Sequence, residues 1–214
     1  MNRRHRFLFG RPGGGYVASP PAIVATADNG LTYPYSAMPL PTNTAGVGVL
    51  VLVVFCATGD GVPVAGWTLL ATIVHPTYAV TGSVYWKPAD GSTTTSITAL
   101  TDDPSWVCWY LPASLAPDGH ATNSSVSSAN LTVPSLTPTG PSDSWVGCWF
   151  LLNGDDNIDT TPALAVNQYF VPANLVCSIF SAATQLTSGA ATGAQTCTNS
   201  GVAVPYCSVG ALFK

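Results

Sequence analysis

From Gly46 to Ala57 the chain reads Gly-Val-Gly-Val-Leu-Val-Leu-Val-Val-Phe-Cys-Ala, its longest apolar run. The run is shorter than the roughly 20 residues a membrane-spanning helix needs. Apolar on both faces, β-branched and bounded by glycine, it predicts a fully buried strand. The segment Gly66-Trp-Thr-Leu-Leu70, continuing to Val74, predicts a second strand beside it. The rest of the chain is expected to be built onto this pair.

What surrounds the pair follows from the missing residues. Only 7% of the 214 residues are charged, against roughly 25% in ordinary soluble domains. Glu is absent, and Lys occurs only at Lys87 and Lys214. Long amphipathic surface helices are hard to build without them. Thr, Ser, Val, Gly, Pro and aromatic residues dominate and favour strands and turns. The predicted class is all-β.

Taken in order, residues 1–22 read as a basic, Gly/Pro-rich arm, and Ile23 to Ala27 as a first strand. After an Asp28-Asn-Gly30 turn, Tyr33 to Pro41 is an extended connector. Thr58-Gly-Asp-Gly61 is expected to turn the central pair. Val80 to Lys87 alternates as a half-exposed strand, Pro88-Ala-Asp-Gly91 is a tight turn, and Thr93 to Leu100 is another strand. Thr101-Asp-Asp-Pro104 leads into Trp106-Val-Cys-Trp-Tyr-Leu111. The Ser/Thr/Pro-rich segment Pro112–Pro141 is expected to be a long surface excursion with one strand, Asn130 to Val133. Trp145-Val-Gly-Cys-Trp-Phe-Leu-Leu152 resembles Trp106–Leu111, and the two are expected to be core strands adjacent in one sheet. Ala163 to Val171, Leu175 to Phe180 and Val202 to Phe213 complete the set. Eight or more short strands at this spacing imply a two-sheet antiparallel sandwich, jelly-roll-like, formed as one domain over 23–214 behind the arm.

Charge is divided unevenly. Arg3, Arg4, Arg6 and Arg11 stand in the arm, whereas the remainder holds every Asp and only two Lys. A basic tail on an acidic body is the pattern of an interaction arm. Four arginines with no basic patch elsewhere make a poor nucleic-acid footprint, so no nucleic-acid partner is expected. Asn2-Arg-Arg-His-Arg-Phe-Leu-Phe9 lacks the apolar stretch of a secretion signal. No membrane partner is expected either.

Chemistry-bearing groups are sparse. The six cysteines show no Cys-x-x-Cys or other metal-like spacing. Cys56, Cys108 and Cys148 lie in apolar runs and read as buried thiols, whereas one disulfide is plausible among Cys177, Cys197 and Cys207. His5, His75 and His120 stand in no recognisable arrangement with a nucleophile and an acid, there is no Gly-x-Ser-x-Gly, and Asp102 and Asp103 are explained by their turn. Each histidine is expected to have a solvated or hydrogen-bonded loop role, and the chain is read as a non-enzyme. Asp155, Asn157 and Asp159 alternate as oxygen ligands do at the start of a calcium loop. The glycine expected next is Thr160 and the bidentate glutamate is Val166, so a solvated turn competes with calcium, and no other cofactor is expected. The sequons at Asn123 and Asn130 are chance matches in so Ser/Thr-rich a chain. Trp67, Trp106, Trp109, Trp145 and Trp149 lie in apolar strands and are expected to pack. Tyr78 and Trp86 are left to face outward as possible ligand contacts.

The run from Gly46 to Leu111 resembles a β-sandwich module of tailed-bacteriophage structural proteins. The matching pieces are the strand Val49 to Phe55, a Gly/Asp turn, Gly66-Trp-Thr-Leu-Leu70, and Val84-Tyr-Trp-Lys87 followed by Ala89-Asp-Gly91. The resemblance covers about a third of the chain and rests on packing and turn residues. It implies a virion component: a capsid decoration or cement protein, homo-oligomeric, whose partners are major capsid or tail subunits and its own copies. A low-charge surface loses little desolvation energy when buried against such neighbours. The alternative is a receptor- or glycan-binding module of a tail fibre or adhesin.

Overall fold

The apolar run folds as a strand, Val49–Cys56, buried at every position. The computed structural model describes residues 22–27, 37–56, 62–98, 105–140, 143–151, 158–160, 164, 169–172, 178–186, 189–199 and 203–214. The arm arginines, Cys177, Asp155, Asn157 and the turns expected at Asp28–Gly30, Thr58–Gly61 and Thr101–Pro104 lie outside them. All regular elements among the described residues are strands, so the all-β class holds.

In chain order the first half comprises β1 (Ala22–Ala27), β2 (Met38–Pro39), β3 (Val49–Cys56), β4 (Val62–Pro63), β5 (Thr68–Val74), β6 (Thr81–Pro88), β7 (Thr94–Thr95), β8 (Ile97–Thr98) and β9 (Ser105–Leu111). The second comprises β10 (Pro117–Ser128), β11 (Asn130–Val133), β12 (Asp143–Leu151), β13 (Ile158–Thr160), β14 (Tyr169–Pro172), β15 (Ser178–Leu186), β16 (Gln195–Asn199) and β17 (Val204–Phe213). Each half builds one five-stranded antiparallel sheet, in the orders β1-β9-β3-β6-β5 and β10-β17-β12-β15-β14.

These orders are the same topology written twice. Strand by strand, β1, β3, β5, β6 and β9 correspond to β10, β12, β14, β15 and β17. The register agrees as well. The row Ala27·Ser105·Phe55·Gly82·Ile73 across the first sheet matches Ser124·Cys207·Phe150·Ile179·Val171 across the second. A second row, Ile23·Trp109·Val51·Trp86, matches His120·Ala211·Val146·Ala183. The small pairs β2–β7 and β4–β8 of the first half have their counterpart in the β11-β16-β13 sheet of the second.

Strand alternation sends each sheet's side chains to two cores. Val49, Val51, Val53 and Phe55 of β3 meet Val146, Cys148 and Phe150 of β12 and Val209 and Phe213 of β17 in one inner core between the sheets. On the outer side of the first sheet, Leu50, Leu52 and Trp106 pack with Met38 and Ile97 of the small strands and with Leu40, which follows β2. The second sheet does the same with Trp145, Trp149 and Leu212 under Leu131, Val133 and Cys197.

Several expectations are corrected. Strand β5 does not pair with β3; β6 lies between them, and β5 takes an edge. At the edge, β5 exposes Leu69 and Val74, whereas β6 is mainly buried on both faces, not half-exposed. The twelve-residue β10 runs through the expected excursion Pro112–Pro141; it is a polar strand at the edge of its sheet that pairs, among the described residues, with β17. Trp106–Leu111 and Trp145–Leu151 are core strands in different sheets and are not topological equivalents. Thr93–Leu100 supplies two short pairings, β7 and β8, rather than one strand. Cys197 and Cys207 are free, buried thiols not bonded to each other. Cys56, Cys108 and Cys148 are buried as expected.

Candidate functional site

The edges of the two sheets meet where the end of β5 approaches β10, and the equivalent pair β14 and β1 also lie in contact. At the first seam the loop after β5 is organised by His75, which is 3% exposed. Its Nδ1 accepts the amide N–H groups of Thr77 and Tyr78 at 3.2 and 3.0 Å. Nε2 therefore carries the ring hydrogen and donates to the Ser125 carbonyl oxygen of β10 at 2.9 Å. Ser124 Oγ donates to the Val74 carbonyl oxygen at 3.5 Å. One imidazole thus ties a turn of the first half to an edge strand of the second, which fulfils the hydrogen-bonded loop role expected of it.

Around this polar clasp the exposed residues are uncharged, a mixture of apolar side chains with Thr77 and Ser127. Val74, Tyr78 and Val126 are 63%, 48% and 50% exposed. The Tyr78 ring leans on His75, with 5.0 Å between ring centres. Tyr78 faces outward as expected. Trp86 does not: it is half-buried and packs against the inner core. The two are not brought together, since Tyr78 precedes β6 and Trp86 lies near its far end, about 17 Å along a strand from Thr81 at ~3.3 Å per residue. Asp159 lies in β13, whose neighbours Ile158 and Thr160 pair with β16. The described residues contain no group of three or more potential metal-ligating side chains.

A second polar cluster escaped the sequence reading because its members are far apart in the chain. Asp118 of β10 and Asp143 of β12 lie close enough to act on each other's charge. Asp118 also accepts the Thr139 amide at 2.7 Å, the Thr139 hydroxyl, and the Lys214 ammonium at 3.0 Å. Asp143 is fully buried and accepts the Gly140 amide at 3.3 Å. Thr139, Asp143 and Lys214 hold the Asp118 carboxyl well below the usual carboxylate range, Thr139 most strongly. Burial first, and the Asp118 carboxylate second, push Asp143 up. The pair can therefore share one proton, held by Asp143. Its partners are structural: the cluster fastens β10, β12 and the end of β17.

The Pro88–Gly91 turn is equally self-contained. Lys87 reaches Asp90 at 2.7 Å and Ser92 at 3.1 Å, and its ammonium sits 5.0 Å from the centre of the Trp67 ring. Asn123, in one of the two sequons, has its amide committed to the Thr132 carbonyl and the Tyr206 hydroxyl at 3.1 and 2.8 Å.

No family model matches the chain, nor does any curated protein or solved structure.

Proposed function

We propose that this chain is a virion structural protein, a capsid decoration or cement protein that binds a particle surface through subunit contacts and its basic arm, and that it is not an enzyme. The supporting observation is the uncharged seam that exposes Val74, Tyr78 and Val126, set on a protein with so few charges. Such a surface is buried against a neighbour at little desolvation cost. Arg3, Arg4, Arg6 and Arg11 give the arm the opposite sign to the body, which suits an anchor laid on an acidic surface. We take a two-sheet sandwich as the working description of the fold. A jelly roll passes successive strands between its sheets, whereas here each sheet comes from one half of the chain.

The test is binding of the full-length protein, and of a version lacking residues 1–22, to particles stripped of it. The cement reading expects only the full-length form to bind, with salt weakening the complex. Attachment of both forms to host cells or a glycan array, with neither binding particles, would instead favour a receptor-binding module. For that role the seam offers Tyr78 as an exposed ring, without Trp86 beside it.

A further inference from the structure

We propose that the inner faces of the two halves are mutually complementary docking surfaces, and that two copies of the chain join by exchanging halves across them. The proposal stands independently of the virion reading.

The contact between the halves has the form of a symmetric dimer interface. In such an interface the same patch is used on both sides, and a residue on the axis meets its own counterpart. Phe55 and Phe150 occupy equivalent places in their sheets, and their rings stack with centres 4.5 Å apart and planes inclined by 14°. Edge contacts are reciprocal too: β5 touches β10, and their counterparts β14 and β1 touch each other. A face built this way accepts the matching face of any copy that presents it.

The covalent link between the halves permits the exchange. It runs from Leu111 to Pro117, but most of it belongs to the second half. Ser114 is fully buried, its Oγ 3.0 Å from the Phe213 carbonyl oxygen and 3.1 Å from Ser144 Oγ. The Leu115 and Ala116 amides donate to the Lys214 carbonyl oxygen at 2.5 and 3.0 Å, and the Lys214 amide returns to Ala116 at 2.9 Å. Pro112 and Ala113 are left as the hinge, crossed by one bond from the Ser114 amide to the Leu111 carbonyl at 3.3 Å. Short hinges favour exchange between copies. In the exchanged pair every inner face still meets its counterpart, so the two states differ in the hinge and in the entropy of bringing two chains together. Local concentration decides between them, and a surface that gathers many copies favours the exchanged form.

The experiment refolds the full-length chain from denaturant over a concentration series and reads the mass by size-exclusion chromatography with light scattering. The expected result is a species of twice the 22.0 kDa chain mass whose share rises with concentration. Co-refolding with a size-tagged copy should give mixed pairs. Deleting Ala113 should raise the paired share, and inserting a Gly/Ser segment of about eight residues after Ala113 should lower it. Val74→Lys with Val126→Lys should leave it unchanged. A monomer at every concentration overturns the proposal. So does a dimer indifferent to hinge length, which would mean that some other surface makes the contact. If the Ala113 deletion fails to fold, the wild-type series and the insertion still decide.

Discussion

Phe55 and Phe150 are the same residue of the same structural unit used twice, and each is the other's stacking partner in the inner core. Consequences of this and of the other assigned contacts can be measured one at a time.

The Phe55 ring needs Gly82. A Cβ on Gly82 would lie 2.5 Å from the ring, closer than carbon atoms approach, so Gly82→Ala must displace the ring or the β6 backbone. Overpacking of this kind costs about 1–3 kcal/mol. Urea unfolding should show that loss, and Phe55→Leu should recover part of it in the double variant.

His75→Ala removes three hydrogen bonds that hold the loop after β5 and fasten it to β10. The expected loss is about 1–3 kcal/mol, because the Ser125 carbonyl and two amides lose partners. Hydrogen exchange should quicken first at the Thr77 and Tyr78 amides, ahead of the inner strands.

The architecture was partly legible and partly hidden, for physical reasons. The buried strand Val49–Cys56 and the packing tryptophans could be read because apolarity on both faces has few explanations. The duplication has a faint trace in Phe55-Cys-Ala-Thr-Gly-Asp60 against Phe150-Leu-Leu-Asn-Gly-Asp155. The more conspicuous Trp-Val-Cys-Trp likeness misleads, since β9 and β12 occupy different places in their sheets. Strand β10 was obscured because an edge strand with one partner can be polar along its length. Asp118 and Asp143 show no signal at all, because their meeting is made by sheet order rather than spacing.

The acid pair predicts a pH dependence with opposite signs on its two sides. Asp143 titrates above its ordinary value in the fold, so its contribution is full below that value and is lost as pH rises through the raised one. Asp118 is depressed, so its contribution is present above the ordinary value and lost as pH falls through the lowered one. Asp143→Asn, a neutral mimic of the protonated acid, should flatten the decline in melting temperature toward alkaline pH. Asp118→Asn should lower stability near neutrality, where it removes the charge facing Lys214.

At the seam, Val74→Lys and Val126→Lys place charge on exposed positions. They should change stability by no more than about 0.5 kcal/mol. Particle binding should weaken at least tenfold if this surface is buried against a neighbour.

The most direct test of the two-half arrangement is a double-mutant cycle on Phe55 and Phe150, read by urea unfolding. Each Phe→Ala change should cost about 3–5 kcal/mol. The stack predicts that the double variant departs from additivity by about 0.5–1.5 kcal/mol. Costs that add to within about 0.3 kcal/mol would mean that the two rings do not share a contact, and the face-to-face pairing of the halves would be wrong.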